Sequence, residues 1–153
     1  HPDRPTDMTL LLQKEVAQRI CAKPGELTRL AISVQLYAEP KIIELVPRKD
    51  FWPSPNVDSA ILQISSLKSQ QEVDKFLEGV SEKEFWRFVR IGFSAKRKQL
   101  QNNLSSGLKI PAEEVKKMLK KANFDLKIRA QNLSIKDWVL LSKIILEYIN
   151  KTP

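Results

Sequence analysis

The chain has one cysteine and one histidine among its 153 residues, and each shortage excludes chemistry. Cys21 by itself cannot form an internal disulfide, which points to a reducing compartment or an indifferent one. His1 stands at the extreme terminus, so Ser/His and Cys/His nucleophile pairs and His-rich metal sites have no buried imidazole to use. Glycine is equally sparse. Gly25, Gly79, Gly92 and Gly107 are isolated, leaving no G-x-G from which to build a nucleotide loop. The longest apolar run is the four residues Trp138 to Leu141, far below the ~20 of a membrane-spanning helix. The opening His1-Pro2-Asp3-Arg4-Pro5 lacks the basic start and apolar core of a signal peptide. It reads as an internal loop of a longer protein.

What is present is charge, and it is concentrated. Residues 1–80 carry a net of −1, residues 81–129 a net of +8 and residues 130–153 a net of +1. The whole surplus of a +8 chain therefore falls in 49 residues, the footprint of a polyanion binder. The competing reading is a solvated helix face, which suits Lys116, Lys117, Lys120 and Lys121. Lys96-Arg97-Lys98 is the cluster whose neighbours matter more.

Apolar spacing predicts a buried strand over 8–13, a helix from Lys14 to Ala22 stopped by Pro24-Gly25, a strand over 31–37 and an extended stretch over 41–46. Pro47 to Asn56 is a loop, and Val57 to Ile64 a further strand. From Ser81 the period becomes 3.6. Phe85, Phe88, Val89, Phe93 and Leu100 predict one helix running to about Leu104. Pro111 suits the first turn of the next helix, striped by Val115, Met118, Leu119 and Ala122. Ser134 with Asp137 resembles a capping box opening the last helix. The organisation is thus α/β plus all-α: an incomplete α/β piece over 1–66, a linker over 67–80 and a small basic helical domain over 81–153. One helix covers only one face of such a sheet, and no glycine loop follows its first strand, so strands are expected to be missing before strand 8–13, leaving that strand an exposed edge.

The segment Phe51-Trp52-Pro53-Ser54-Pro55-Asn56-Val57-Asp58-Ser59-Ala60 carries the most information. Its two prolines stiffen the loop, so Phe51 is either a stacking platform for a flat ligand or a loop anchor packed on the core. Four other segments join it. Gln13-Lys14-Glu15-Val16-Ala17 with Pro24-Gly25, Leu30 to Gln35, Phe93 to Leu104 (F-S-A-K-R-K-Q-L-Q-N-N-L) and Arg129-Ala130-Gln131-Asn132-Leu133-Ser134 follow in matching order. Together they resemble the ribosomal RNA small-subunit adenine N6,N6-dimethyltransferase family (the bacterial KsgA type), over the C-terminal half of such a protein. In that resemblance Leu30 to Gln35 stands where the family has a strand. Asn56 replaces a usual Lys, Lys96 a usual Arg, and Leu27-Thr28 a common Tyr-Gly pair.

The resemblance implies the C-terminal part of a Rossmann-like, S-adenosylmethionine-dependent methyltransferase sheet followed by a helical rRNA-binding domain. The implied reaction moves methyl groups from S-adenosylmethionine to two adjacent adenosines near the 3′ end of 16S-type rRNA, in the immature small ribosomal subunit. An exocyclic adenine amine is a weak nucleophile, so the base must be extruded, clamped and oriented. Phe51 is the implied stacking residue of the catalytic site, and with the family match stacking is favoured over anchoring. Arg87, Arg90, Lys96, Arg97, Lys98 and Asn102 are the candidate RNA contacts, with Arg90, Arg97 and Lys98 suited to phosphates on a helix. Lys14, at the carboxyl end of strand 8–13, either faces the active cleft or is a solvated helix start. No cofactor or metal ligands are assigned; the cofactor motifs would lie upstream of His1, in the missing N-terminal half that is the implied partner. The fragment alone is expected to be inactive. The implied location is cytoplasmic, with a mitochondrial homologue left open. Two other functions stay in view: a 23S rRNA adenine methyltransferase of the macrolide-resistance type, and a non-catalytic RNA-binding or ribosome-assembly module.

Overall fold

The computed structural model describes residues 5–151, so the loop expected at the opening residues lies largely outside what is described. The chain forms two compact units. One comprises the residues up to Ala22 together with Leu30–Gln70; the other comprises Lys23–Arg29 and the chain from Gln71 onward.

In the first unit, β1 (Met8–Gln13), β2 (Glu39–Val46) and β3 (Ser59–Ser65) make a three-stranded sheet in the order β1-β3-β2, antiparallel throughout. The strict alternation of β3 explains its central place: Ala60, Leu62 and Ile64 are buried while their neighbours are half-buried. They form a core with Ala17 and Ile20 of α1 (Lys14–Ile20) and with Ala38. β1 is an edge strand within the described residues, as expected, but it is not buried: with nothing described beyond it, Met8, Leu10 and Leu11 are exposed, Leu11 to 55%. A bulge between Ile42 and Glu44 shifts the register of β2.

The expected strand over 31–37 is instead α2 (Arg29–Gln35). Its alternating, β-branched residues look like a strand, but Ala31, Ile32 and Leu36 are the buried ones, which is helical spacing. Tertiary contacts decide between the two. The Gln35 side-chain amide donates to the carbonyls of Ile20 and Ala22, at 2.8 and 2.9 Å, and a helix brings it there.

The stretch 67–80 contains a helix, α3 (Gln70–Phe76), with Val73, Leu77 and Val80 buried. The second unit continues with α4 (Glu82–Gly92), α5 (Leu100–Leu108), α6 (Ala112–Lys121) and α7 (Ile135–Lys151). Helix α4 packs on α5 and α7, and α6 does the same. Ser81 caps α4 by accepting the Glu84 amide. At α7 the expected capping box is complete: Ser134 Oγ accepts the Asp137 amide at 3.1 Å and the Asp137 carboxylate accepts the Ser134 amide at 2.8 Å. Pro111 stands at the cap of α6, one position before the first turn. Lys23–Arg29 is tied to this unit by Gln131, whose carbonyl accepts the Gly25 amide at 2.8 Å and whose side chain donates to the Gly25 carbonyl at 2.8 Å. No described helix is long and apolar enough to cross a membrane.

The single helix expected from Ser81 to about Leu104 is two helices with a loop over 93–99 between them. The apolar stripe stays in phase across the break, which hides it. The break is held by Asn103, a buried residue of α5, whose amide donates to the carbonyls of Gly92 at 2.6 Å and Ala95 at 3.1 Å. The close approach of α4 to α7 needs Gly92, because a Cβ there would run into the Trp138 ring. Phe93 then stacks on Trp138, ring centroids 5.8 Å apart.

Candidate nucleic-acid interface

The loop over 93–99 gathers the charge the sequence singles out. Lys96, Arg97 and Lys98 all lie on it and are exposed, a correction to their expected place on a helix. Only Arg90 of the three favoured phosphate contacts is helical, in the last turn of α4. Arg87 is on the same helix, its guanidinium 5.9 Å from the centre of the Phe88 ring. Asn102 stands in the first turn of α5, while its neighbour Asn103 turns inward to fix the loop.

Ion pairing splits the basic stretch in two. On α6, Lys116 pairs with Glu113 at 2.6 Å, Lys117 with Glu114 at 2.7 Å and Lys121 with Glu147 at 2.5 Å. Lys143 pairs with Glu78 at 2.7 Å. The lysine hydrogen bonds hold the carboxyls of Glu113, Glu147 and Glu78 below their ordinary value, and Glu114 raises Lys117. These pairs lie at the surface, so they contribute little. What the lowered carboxyls do contribute is present above the ordinary carboxylate pKa and fades as pH falls through the lowered values. Among the described residues, no acidic side chain forms an ion pair with Arg90, Lys96, Arg97 or Lys98. A cation left without an internal counterion can neutralise a phosphate directly, releasing the counterions condensed on the nucleic acid; a paired one must first break its bond.

The first unit offers a second surface. A cleft of about 470 Å³ is lined by Gln13, Lys14, Glu15, Gln18, Arg48, Asn56, Val57 and Asp58. Lys14 is thus at the cleft, its ammonium 3.9 Å from the Asp58 carboxylate and its backbone amide donating to the Asp58 carbonyl at 3.0 Å. Asp58 Oδ1 also accepts the Arg48 amide at 3.0 Å, so one carboxylate closes the base of the Phe51 loop. Phe51 itself is half-buried, beside the loop's short 3-10 turn Arg48–Asp50, and is not among the lining residues. Sequence reading missed Arg48, Asp58 and Asn103. The first two lie within or next to the proline loop, but their roles depend on how the loop folds back on itself.

The chain thus joins a small antiparallel sheet that carries an aromatic loop to a helical unit that carries an exposed cationic loop. The ribosomal RNA adenine dimethylase family model matches residues 2–147, and the chain belongs to that family. It is 39% identical over 145 residues to the ribosomal RNA small subunit methyltransferase A of Dehalococcoides mccartyi (strain CBDB1), covering 95% of this chain and 47% of that protein. With the methyltransferase of the same name from Clostridioides difficile (strain 630) it shares 36% identity over 142 residues, 92% of this chain and 47% of that one. The chain spans about half the length of the curated relatives it matches. Among solved structures it resembles a dimethyladenosine transferase from Plasmodium falciparum, with a TM-score of 0.69 and 25% identity over 99% of this chain and 60% of that one. The 23S rRNA methyltransferase ErmE shares the fold, with a TM-score of 0.58 and 22% identity over 91% of this chain and 54% of that one.

Proposed function

We propose that this chain is the RNA-contacting half of a small-subunit rRNA adenine N6,N6-dimethyltransferase, working in the cytoplasm on the immature ribosomal subunit. The observation that carries this reading is the loop over 93–99: a run of cations without ion-pair partners among the described residues, fixed by a buried Asn103, in a member of this family. In this reading Arg90, Lys96, Arg97 and Lys98 neutralise phosphates, and Arg87 and Asn102 support them from α4 and α5. Phe51 stacks on the target base, and Lys14 at the cleft meets the strand that leads to it. The parent sheet is Rossmann-like, with residues 1–66 its C-terminal part and 81–153 the rRNA-binding domain.

The residues present do not fit an S-adenosylmethionine site. Gly25 and Gly79 have positive φ at isolated turns, and Gly92 and Gly107 sit where a Cβ would strike Trp138 and Ile91, so no described strand leads into a glycine loop. We therefore assign methyl-donor binding to the N-terminal half of the full-length relatives. The test is methyl transfer from labelled S-adenosylmethionine to unmethylated small subunits. It is run with this chain alone and with the N-terminal half of a full-length relative added. Transfer only in the mixture is expected. Transfer by this chain alone would overturn the assignment of the cofactor, and tight RNA binding with no transfer in either case would favour an assembly module.

A further inference from the structure

Trp52 is 98% exposed, an almost bare indole beside a half-buried Phe51. A ring of this kind covers roughly 150–250 Å² when it is buried, and tryptophan is highly buried on average. The loop that carries it is closed on itself. Ser54 Oγ donates to the Arg48 carbonyl at 2.9 Å, the Phe51 amide donates to the same carbonyl at 3.3 Å, and Arg48 Nη1 reaches the Asn56 carbonyl at 3.4 Å. Pro53 and Pro55 fix two more torsions, so the indole is presented with little chain entropy left to lose.

The backbone at Phe51 is extended, with φ −110° and ψ 147°, and successive side chains of an extended chain point to opposite sides. Phe51 is half-buried where Trp52 is bare, so the two rings stand in different surroundings. The indole's surroundings also select its partner. Lys49, Asp50, Ser54 and Asn56 are exposed and polar, and Arg48 and Lys14 line the adjoining cleft. Pro53, Pro55 and Val57 are exposed as well, so the indole stands where small apolar surfaces alternate with polar and cationic groups, not on a continuous apolar patch. It is well matched to a flat base on a charged backbone.

We infer that Trp52 is a stacking platform for an unpaired RNA base other than the one taken by Phe51, which sets where the strand lies as it passes the loop. The inference rests on the RNA reading above. Its test compares the wild-type chain with Trp52→Ala, Trp52→Leu and Trp52→Phe. Each is titrated with a single-stranded fragment of the small-subunit rRNA 3′ end and with an RNA duplex. Trp52→Ala should weaken single-strand binding by roughly 5- to 100-fold, the effect of removing one base–aromatic stack. Trp52→Leu should be as weak, Trp52→Phe should stay within about 5-fold of wild type, and duplex binding should not change. The exposed position keeps folding out of the comparison, and far-UV circular dichroism of each variant checks it. Single-strand binding that survives in Trp52→Ala but falls in Arg97→Ala/Lys98→Ala would overturn the inference and leave the RNA reading standing. Full binding by Trp52→Leu would also overturn it, since any apolar group would then do. No RNA binding by the wild type would overturn both.

Discussion

Replacing Arg90, Lys96, Arg97 and Lys98 together by Ala is expected to lower affinity for the 3′-end fragment of small-subunit rRNA by about a hundred- to a thousandfold near ~0.1 M salt. Each phosphate left without its cation should also reduce the slope of log K against log salt by ~0.7–0.9, or about three in all. The informative control changes the same amount of charge elsewhere. Lys116, Lys117, Lys121 and Lys143 to Ala removes four cations that already hold Glu113, Glu114, Glu147 and Glu78. That variant should give up far less affinity and keep most of the slope. Titrations of both variants at several salt concentrations decide the matter. Equal reductions would mean that the unit binds RNA through net charge alone, and that the loop over 93–99 has no special part.

The second large effect is on stability, and it concerns what holds that loop. Trp138 is fully buried on α7, stacked on Phe93 and pressed against Gly92, so it fixes the end of α4 from which the loop departs. Trp138→Ala is expected to cost ~3–5 kcal/mol, the usual range for deleting a buried aromatic. Among the described residues its indole N–H has no hydrogen-bond partner, so the cost should come from volume and packing, not from polarity. Trp138→Phe should accordingly recover a large part of it. Urea denaturation of both variants is the measurement. An Ala variant within about 1 kcal/mol of wild type would show that the second unit does not depend on this packing.

Much of the architecture is legible in the sequence, for reasons that differ by element. Strand β3 alternates cleanly, and α6 and α7 carry unbroken stripes with acidic first turns and basic last turns, so pattern and fold agree. Three places are not legible. Helix α2 is short and β-branched, and what makes it helical is a Gln35 amide reaching back to carbonyls thirteen and fifteen residues earlier. Helix α3 hides in a polar stretch, although Val73, Leu77 and Val80 have helical spacing. The break after Gly92 leaves the apolar stripe in phase and depends on Asn103, next to the Asn102 that the motif points to.

The candidate site divides the same way. The cationic cluster and the proline loop stand out as motifs, because a run of like charge and closely spaced prolines constrain a chain locally. Which cations remain unpaired, and that Trp52 is bare beside Phe51, are properties of the folded surface. Lys116 and Lys98 are both cations in one basic stretch; only the fold shows that Lys116 already has Glu113.

The most direct test of the account is to map photocrosslinks between this chain and unmethylated small ribosomal subunits. The account predicts crosslinks from residues 93–102 and from the Phe51 loop, meeting RNA near the adjacent adenosines at the 3′ end. Crosslinks confined to α6 and α7, or scattered over the subunit without preference for that end, would contradict it.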